Sequence, residues 1–296
     1  VTAAAGPEVL ARAVSLVEPA LSAAIPETDG ALGRLHEAMR YSLLAGGKRL
    51  RPALCVAACE AVGGEARHAV PPAVALELVH TYSLVHDDLP CMDDDDLRRG
   101  RPTNHVVYGE ALAVLAGDGL LTRAFGILAE ADLPGDVRAG LVAELAEAAG
   151  ARGMVGGQAL DLAAEGAEEV DLPTLQYIHT HKTGALFVAS CRLGGRAGGA
   201  SSSALDRLGR FGENLGLAFQ IVDDLLDETA TAEELGKAAG KDRARGKATY
   251  PRLLGLTESR RRVEELARTA RELAESFGKG GAALGELARF VAERHS

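Results

Sequence analysis

Apolar residues recur at three-to-four spacing over ten stretches, 8–24, 31–45, 52–63, 71–88, 109–131, 136–155, 183–194, 203–228, 258–276 and 282–293. That spacing places them on one face of a helix, so each stretch predicts an amphipathic or buried helix. Strand-like alternation is nearly absent, and the pattern reads as all-α. Punctuation falls where helices should stop: Gly46–Gly47, Gly63–Gly64, Pro71–Pro72, Pro134–Gly135, Gly194–Gly195, the 198–203 run and 278–281. None of these breaks is long enough to be an interdomain linker, so residues 1–296 are expected to form one domain. No short repeat of solenoid period occurs.

Composition sharpens this picture. Ala, Leu, Glu, Arg and Gly dominate and Trp is absent, the usage of a helix-rich protein. A formal net charge of −10 argues against a nucleic-acid or anionic-membrane partner. An anionic small molecule would need local cations. Cys55, Cys59, Cys91 and Cys191 form no CxxC pair and read as reduced packing residues. The stretch 1–24 lacks a basic leader and carries Glu8, Arg12, Glu18 and Pro19, unlike a signal peptide. No uncharged apolar run reaches the ~20 residues that span a bilayer. The expectation is a cytoplasmic protein.

One local pattern occurs twice. Asp87-Asp88-Leu-Pro-Cys-Met-Asp93 and Asp223-Asp224-Leu-Leu-Asp227 each follow an apolar helical run and lead into basic residues. Asp223 and Asp227 share a helix face about one turn, ~5.4 Å, apart. Two carboxylates so placed repel unless a cation sits between them, and Mg2+ suits the position because it is shared between carboxylates and a substrate phosphate. A solvated acidic face is the alternative for this motif alone. In the first cluster Asp93 is six residues beyond Asp87 and points elsewhere on a regular helix. Pro90 should end or bulge the helix and let Asp93 return toward Asp87. An EF-hand does not fit, since no Gly takes the sixth position and Arg98 and Arg99 follow at once.

If the two clusters bind metal and face each other, the substrate should be a polyphosphate, and a second set of cations is present for it. Gly46-Gly47-Lys48-Arg49-Leu50-Arg51-Pro52 breaks a helix at two glycines and sets three cations before the next helix, expected to begin at Pro52. Arg98-Arg99-Gly100-Arg101-Pro102 repeats the arrangement after the first cluster, where guanidinium groups can grip phosphate oxygens. In isolation either run is an ordinary basic turn. His181-Lys182-Thr183-Gly184 opens an apolar helix, and a mixed-charge loop from Gly236-Lys237 to Lys247 follows the second cluster. The pair His179-x-His181 has no third ligand at zinc spacing. Gln158 with Asp161, and Gln220 with Asp223, would each share a helix face.

Together these residues resemble the trans-isoprenyl diphosphate synthases, specifically the bacterial farnesyl and geranylgeranyl diphosphate synthases. The matching segments are GGKRLRP (46–52), the block 78–119, GGQALDL (156–162), HKTGALF (181–187), GLAFQIVDDLLD (216–227) and GKATYP (246–251), in order along most of the chain. The resemblance implies the isoprenoid synthase fold, all-α, with roughly a dozen helices round a deep central cavity, usually as a homodimer. It implies Mg2+ at Asp87, Asp88, Asp93, Asp223 and Asp227, three ions per site, with Mn2+ able to substitute. Arg98, Lys182 and Lys247 would hold the allylic diphosphate; Lys48, Arg51, His80 and Arg99 would hold isopentenyl diphosphate. Thr183, Gln220, Gln158 and Asp161 would line the reacting carbons. The spacing between Lys237 and Asp242 varies by a residue across the family, which ties Lys247 to the pattern more closely than Lys237.

The reaction so implied ionises the allylic C–O bond, adds isopentenyl diphosphate to the cation and loses a proton, with no His or Glu obviously placed to take it. The bound diphosphate is therefore the expected base. Product length is expected from the helix that carries Asp87. Tyr82 lies about 7.5 Å below that residue and Ser83 one turn below it, so the Tyr82 ring would form the floor. A regular helix puts Tyr82 about 140° round from Asp87, so the ring reaches the cavity only if the helix is suitably turned. Tyr here looks like the bacterial farnesyl synthases, giving a C15 product, with C20 as the alternative. A terpene cyclase would replace the second cluster with an Asn/Ser/Glu pattern, and a non-catalytic subunit would carry damaged aspartate motifs.

Overall fold

Helical periodicity carries through to the tertiary structure. A computed structural model of the chain describes residues 7–165, 170–229 and 248–294. The helices are α1 Glu8–Ala24, α2 Gly33–Leu43, α3 Leu50–Ala61, α4 Val70–Asp87, α5 Asn104–Tyr108, α6 Glu110–Glu130 and α7 Gly135–Ala149. They continue as α8 Met154–Ala164, α9 Leu172–Ile178, α10 Ala185–Ala197, α11 Ser202–Thr229, α12 Tyr250–Leu254, α13 Leu256–Glu275 and α14 Ala282–Glu293. The only strands among the described residues are β1 Leu97–Arg98 and β2 Arg101–Pro102, antiparallel, with Leu97 opposite Pro102 and Arg98 opposite Arg101. Arg99 and Gly100 turn the hairpin with φ of 54° and 73°, both left-handed, as a two-residue hairpin requires.

Several expectations change. The helix expected over 136–155 ends at Ala149; a turn follows and α8 begins at Met154. The turn is tight enough to need glycine: a Cβ at Gly153 would lie 2.1 Å from the Ala148 carbonyl oxygen. The helix after GGKRLRP starts at Leu50 rather than Pro52, with Arg49 as its N-cap in the left-handed region. α5, α9 and α12 are too short for periodicity to reveal. Cys55, Cys59 and Cys191 are buried and burial pushes their thiols up, but Cys91 is exposed and packs nothing. α6 is by length and hydropathy able to cross a membrane, the only such helix among the described residues. Its Ala113, Ala116, Leu120, Ala124 and Leu128 stripe is nevertheless buried inside the protein.

Gly194–Gly195 is the clearest correction, because it lies inside α10 instead of ending a helix. α3, with Ala53, Leu54, Cys55, Ala57, Ala58 and Cys59 all fully buried, runs through the middle of the molecule. α10 packs against it so tightly that a Cβ on Gly194 would lie 2.0 Å from the Cys55 carbonyl oxygen. On its other side α10 meets α11, where a Cβ on Gly212 would fall 2.7 Å from the Val188 Cα. Small residues thus set the spacing of the three central helices. One apolar core then fills between α1, α2, α4, α6 and α7, and a second between α3, α11, α13 and α14.

Gly194→Ala should therefore force α3 and α10 apart and cost about 3 kcal/mol or more in urea unfolding. Gly285→Ala in α14, whose nearest neighbour would be 4.0 Å away, should instead stabilise by about 0.5–1 kcal/mol through helix propensity. Equal effects would remove close packing as the reason for Gly194.

Candidate active site

The end of α4 builds the first acidic wall. Beyond Asp87 the chain wraps back on itself: the Asp93 amide donates to the Asp87 carbonyl at 2.8 Å, and the Asp95 amide to the Asp88 carbonyl at 3.2 Å. Asp93 thereby returns beside Asp87, as the Pro90 break requires. The Asp87 carboxylate accepts from Gln158 Nε2 at 3.0 Å. Burial pushes its pKa up to about 6; Lys182 pulls it down and Asp93 pushes it further up. Asp88 is buried and paired with Arg98 at 2.5 Å.

α11 forms the second wall. Asp223 is raised by burial and lowered by Arg294, whose guanidinium lies 3.0 Å away, and by Lys48. Asp227 is exposed one turn further on. Asp224 turns the other way: it accepts the Tyr250 amide at 2.9 Å and lies 3.9 Å from His179, and burial pushes it up to about 7. Asp224 therefore anchors the start of α12 and does not join Asp223.

The cations come from three segments. Arg51 lies 5.3 Å over the Phe187 ring, and its Nε is buried with no partner among the described residues. Burial lowers the Lys48 ammonium pKa, and Arg294 lowers it further while Asp223 raises it. His80 is held well below the ordinary histidine range, first by burial and then by Arg51, Arg99, Arg98 and Arg49. It is a neutral ring that can donate one N–H to an anion. Arg99 donates to the Gly46 carbonyl and so grips the glycine turn from the β1–β2 hairpin. Arg49 differs from its neighbours, being 3 % exposed and consumed by internal partners.

The third wall is a π-helical turn, His179–Gly184, which leads into α10. Its widened backbone presents Lys182 and Thr183 inward, a common use of such turns at functional sites. α8 lies directly on it, since a Cβ at Gly157 would be 2.1 Å from the Lys182 amide nitrogen. That contact explains the glycine before Gln158 and brings Asp161 to Lys182 at 2.5 Å. The Thr183 hydroxyl donates to Gln220 Oε1 at 2.8 Å, joining this wall to α11. His179 and His181 do not converge: His181 stacks on Tyr177 and His179 on Tyr250.

α3, α4, α8 and the π turn enclose a cavity of about 260 Å3 lined by Arg51, His80, Asp87, Gln158, Lys182 and Thr183, whereas no residue of α11, Asp223 and Gln220 included, lines it. Tyr82 and Ser83 line the same cavity, with Met92, Met154 and Val155 as apolar wall. α4 is thus turned so that Tyr82 and Asp87 face one space. A larger groove of about 900 Å3 between α7, α10, α11 and α13 shares no residue with it. Lys237 and Lys247 lie outside the described residues. Arg294 and Glu77 are the site-associated residues that the sequence does not reveal, and Arg49, one of the three cations of the glycine turn, faces internal partners instead. No local signal marks Arg294, which reaches Asp223 from another helix.

Divalent metal fits this donor set. Asp87 and Asp223 are half-buried hard-oxygen donors whose charge is disfavoured by what burial they have. No three His, Cys, Asp or Glu side chains among the described residues converge as a complete metal cage.

The raised Asp87 pKa has a sign that can be tested. Its folded value of about 6 exceeds the ordinary 3.8, so ionisation costs native stability; the penalty is absent below the lower value and complete above the higher. Without metal, Asp87→Asn should raise stability above about pH 6 by about 1–3 kcal/mol, the gain vanishing toward about pH 4. Thermal melts in chelator across that range check it, and a pH-independent difference would contradict it.

Residues 33–279 match the family model described as polyprenyl synthetase. The chain is 52% identical to an Arabidopsis thaliana protein named heterodimeric geranylgeranyl pyrophosphate synthase large subunit 1, chloroplastic, over 95% of this chain and 77% of that one. It is 48% identical to a dimethylallyltranstransferase of Fischerella ambigua, over 97% and 83%. Among solved structures, an apo FPP/GFPP synthase from Zymomonas mobilis superposes with a TM-score of 0.87 at 40% identity, covering 96% of this chain and 97% of that one. With aspartate walls, cation segments and fold all in agreement, the chain belongs to the polyprenyl synthetase family.

Proposed function

We propose that this trans-prenyl diphosphate synthase condenses isopentenyl diphosphate with dimethylallyl and geranyl diphosphate and releases chiefly farnesyl diphosphate. The observation that carries the product length is Tyr82, which is 6% exposed and lines the cavity that holds Asp87. Its phenol is pushed up to about 12 by burial and then by Asp87, the signature of a ring in dry surroundings beside that carboxylate. Ser83 turns its hydroxyl to the His80 carbonyl at 2.9 Å and leaves little bulk in the path. The C20 reading has its own support: several relatives, including one from Capsicum annuum at 52% identity, are named geranylgeranyl pyrophosphate synthases.

Asp87, Asp88 and Asp93 on one side, with Asp223 and Asp227 on the other, would hold Mg2+, proposed as three ions with Mn2+ as a substitute. The metal supplies positive charge that stabilises the departing diphosphate. Lys182 and Arg98, freed from Asp161 and Asp88, bind and orient the allylic diphosphate. Lys48, Arg51, Arg99 and neutral His80 hold isopentenyl diphosphate. Met92, Met154 and Tyr82 exclude water from the allylic cation, while the Thr183 and Gln220 oxygens offer it lone pairs. His80 is a poor base among its cations, so the leaving diphosphate takes the proton.

Val106, Val107, Val114 and Leu115 form an exposed apolar face on α5 and α6, and we assign it to a homodimer in the cytoplasm. Leu115→Asp should shift the protein from dimer to monomer by light scattering. An unchanged mass would move the interface elsewhere.

Purified protein with Mg2+, labelled isopentenyl diphosphate and dimethylallyl diphosphate should give farnesol after dephosphorylation, and Tyr82→Ala should give C20 and longer alcohols. C20 from wild type would favour the second reading. No elongation would leave a non-catalytic subunit, and cyclic hydrocarbon a terpene cyclase.

A further inference from the structure

Glu77 and Arg49 form a buried ion pair beside the cation segments. Arg49 is the N-cap of α3 and sits at φ 49°, a region costly for a non-glycine residue. All three of its guanidinium nitrogens are taken: Nε donates to Glu18 on α1 at 2.8 Å, Nη1 to Glu77 on α4 at 2.6 Å, and Nη2 to the Leu43 carbonyl at the end of α2 at 3.0 Å. One side chain thus ties three helices to the start of a fourth. Its immediate neighbour is Lys48, and Arg51 lies one residue beyond Leu50. Glu77 in turn precedes His80 by three residues on α4, so the two share a helix face. Burial lowers the pKa of Arg51 and of Arg99 and Glu77 opposes it in both, which places one buried anion among the cations that crowd His80.

We propose that Arg49 and Glu77 are positioning residues for the isopentenyl diphosphate subsite, clamping the glycine turn to α4 so that Lys48, Arg51 and His80 converge on one phosphate. The inference rests on the assignment of those three residues to isopentenyl diphosphate. Neither positioning residue touches substrate. The clamp fixes the left-handed turn between Lys48 and Arg51, both of which feel the charge of Asp223. It also holds repelling cations together before any anion arrives, so less ordering remains to be done on binding.

The double variant Arg49→Met/Glu77→Met removes both buried charges at once, a change that other proteins tolerate without loss of stability. Arg49→Lys keeps the charge but cannot reach three acceptors from one nitrogen, and it serves the same comparison where the double variant does not fold. The expected result is a KM for isopentenyl diphosphate raised about tenfold or more, with the KM for geranyl diphosphate changed less than about twofold. Calorimetric titration of isopentenyl diphosphate alone should weaken in parallel. An unchanged KM for isopentenyl diphosphate, or an equal rise for both substrates, overturns the proposal. Lys48→Ala and Arg51→Ala measured alongside separate the two levels. If they too spare isopentenyl diphosphate, the subsite assignment has failed; if they impair it while the clamp variants do not, the positioning role has failed.

Discussion

Three ion pairs govern the site: Asp88 with Arg98, Asp161 with Lys182, and Asp223 with Arg294. Each joins a residue of the metal- or carbon-facing walls to a cation of the protein itself. Buried carboxylates cannot remain charged without such partners, because the interior returns little of the hydration they lose. In the absence of ligand the protein therefore neutralises its own site. Any anion that takes Arg98 or Lys182 must displace the carboxylate now paired with it.

This constraint explains why the scaffold is rigid where the site is charged. α4 carries His80, Tyr82 and Asp87 on one helix, so the three residues that line the cavity are fixed relative to one another. α8 is seated on the π turn through Gly157, which leaves Gln158 and Asp161 no freedom to drift from Asp87 and Lys182. α10 continues that turn into the closest helix packing of the fold, between α3 and α11. The same glycines that tighten the core thereby carry Lys182 and Thr183 to their places. Although the protein is acidic overall, sign is decided locally, and Arg51, Arg99, Arg98 and Arg49 together crowd His80.

Much was legible in the chain. The three-to-four periodicity located α1, α4, α6, α11, α13 and α14 closely, since burial of one helix face leaves its mark on every turn. The role of Pro90 was legible too, because a proline breaks the helix by its own covalent structure, and Asp93 does return to the Asp87 carbonyl. The cation segments were visible as composition, and Arg51 with His80 does reach the cavity.

Tertiary structure decided the rest. Gly194–Gly195 read as a helix end, yet it lies within a helix because its reason is the backbone of α3, more than a hundred residues away in sequence. Asp223 and Asp224 are adjacent and chemically identical, but the facing of α11 sends one toward Lys48 and the other toward Tyr250. Arg49 stood among three equal cations until packing buried it on Glu77 and Glu18. Sequence alone determined helices, breaks and the stock of charges, all set by bonds and forces acting within a few residues. Which charge meets which, and whether Tyr82 faces the cavity, depended on helix rotation and packing, which only the assembled interior fixes.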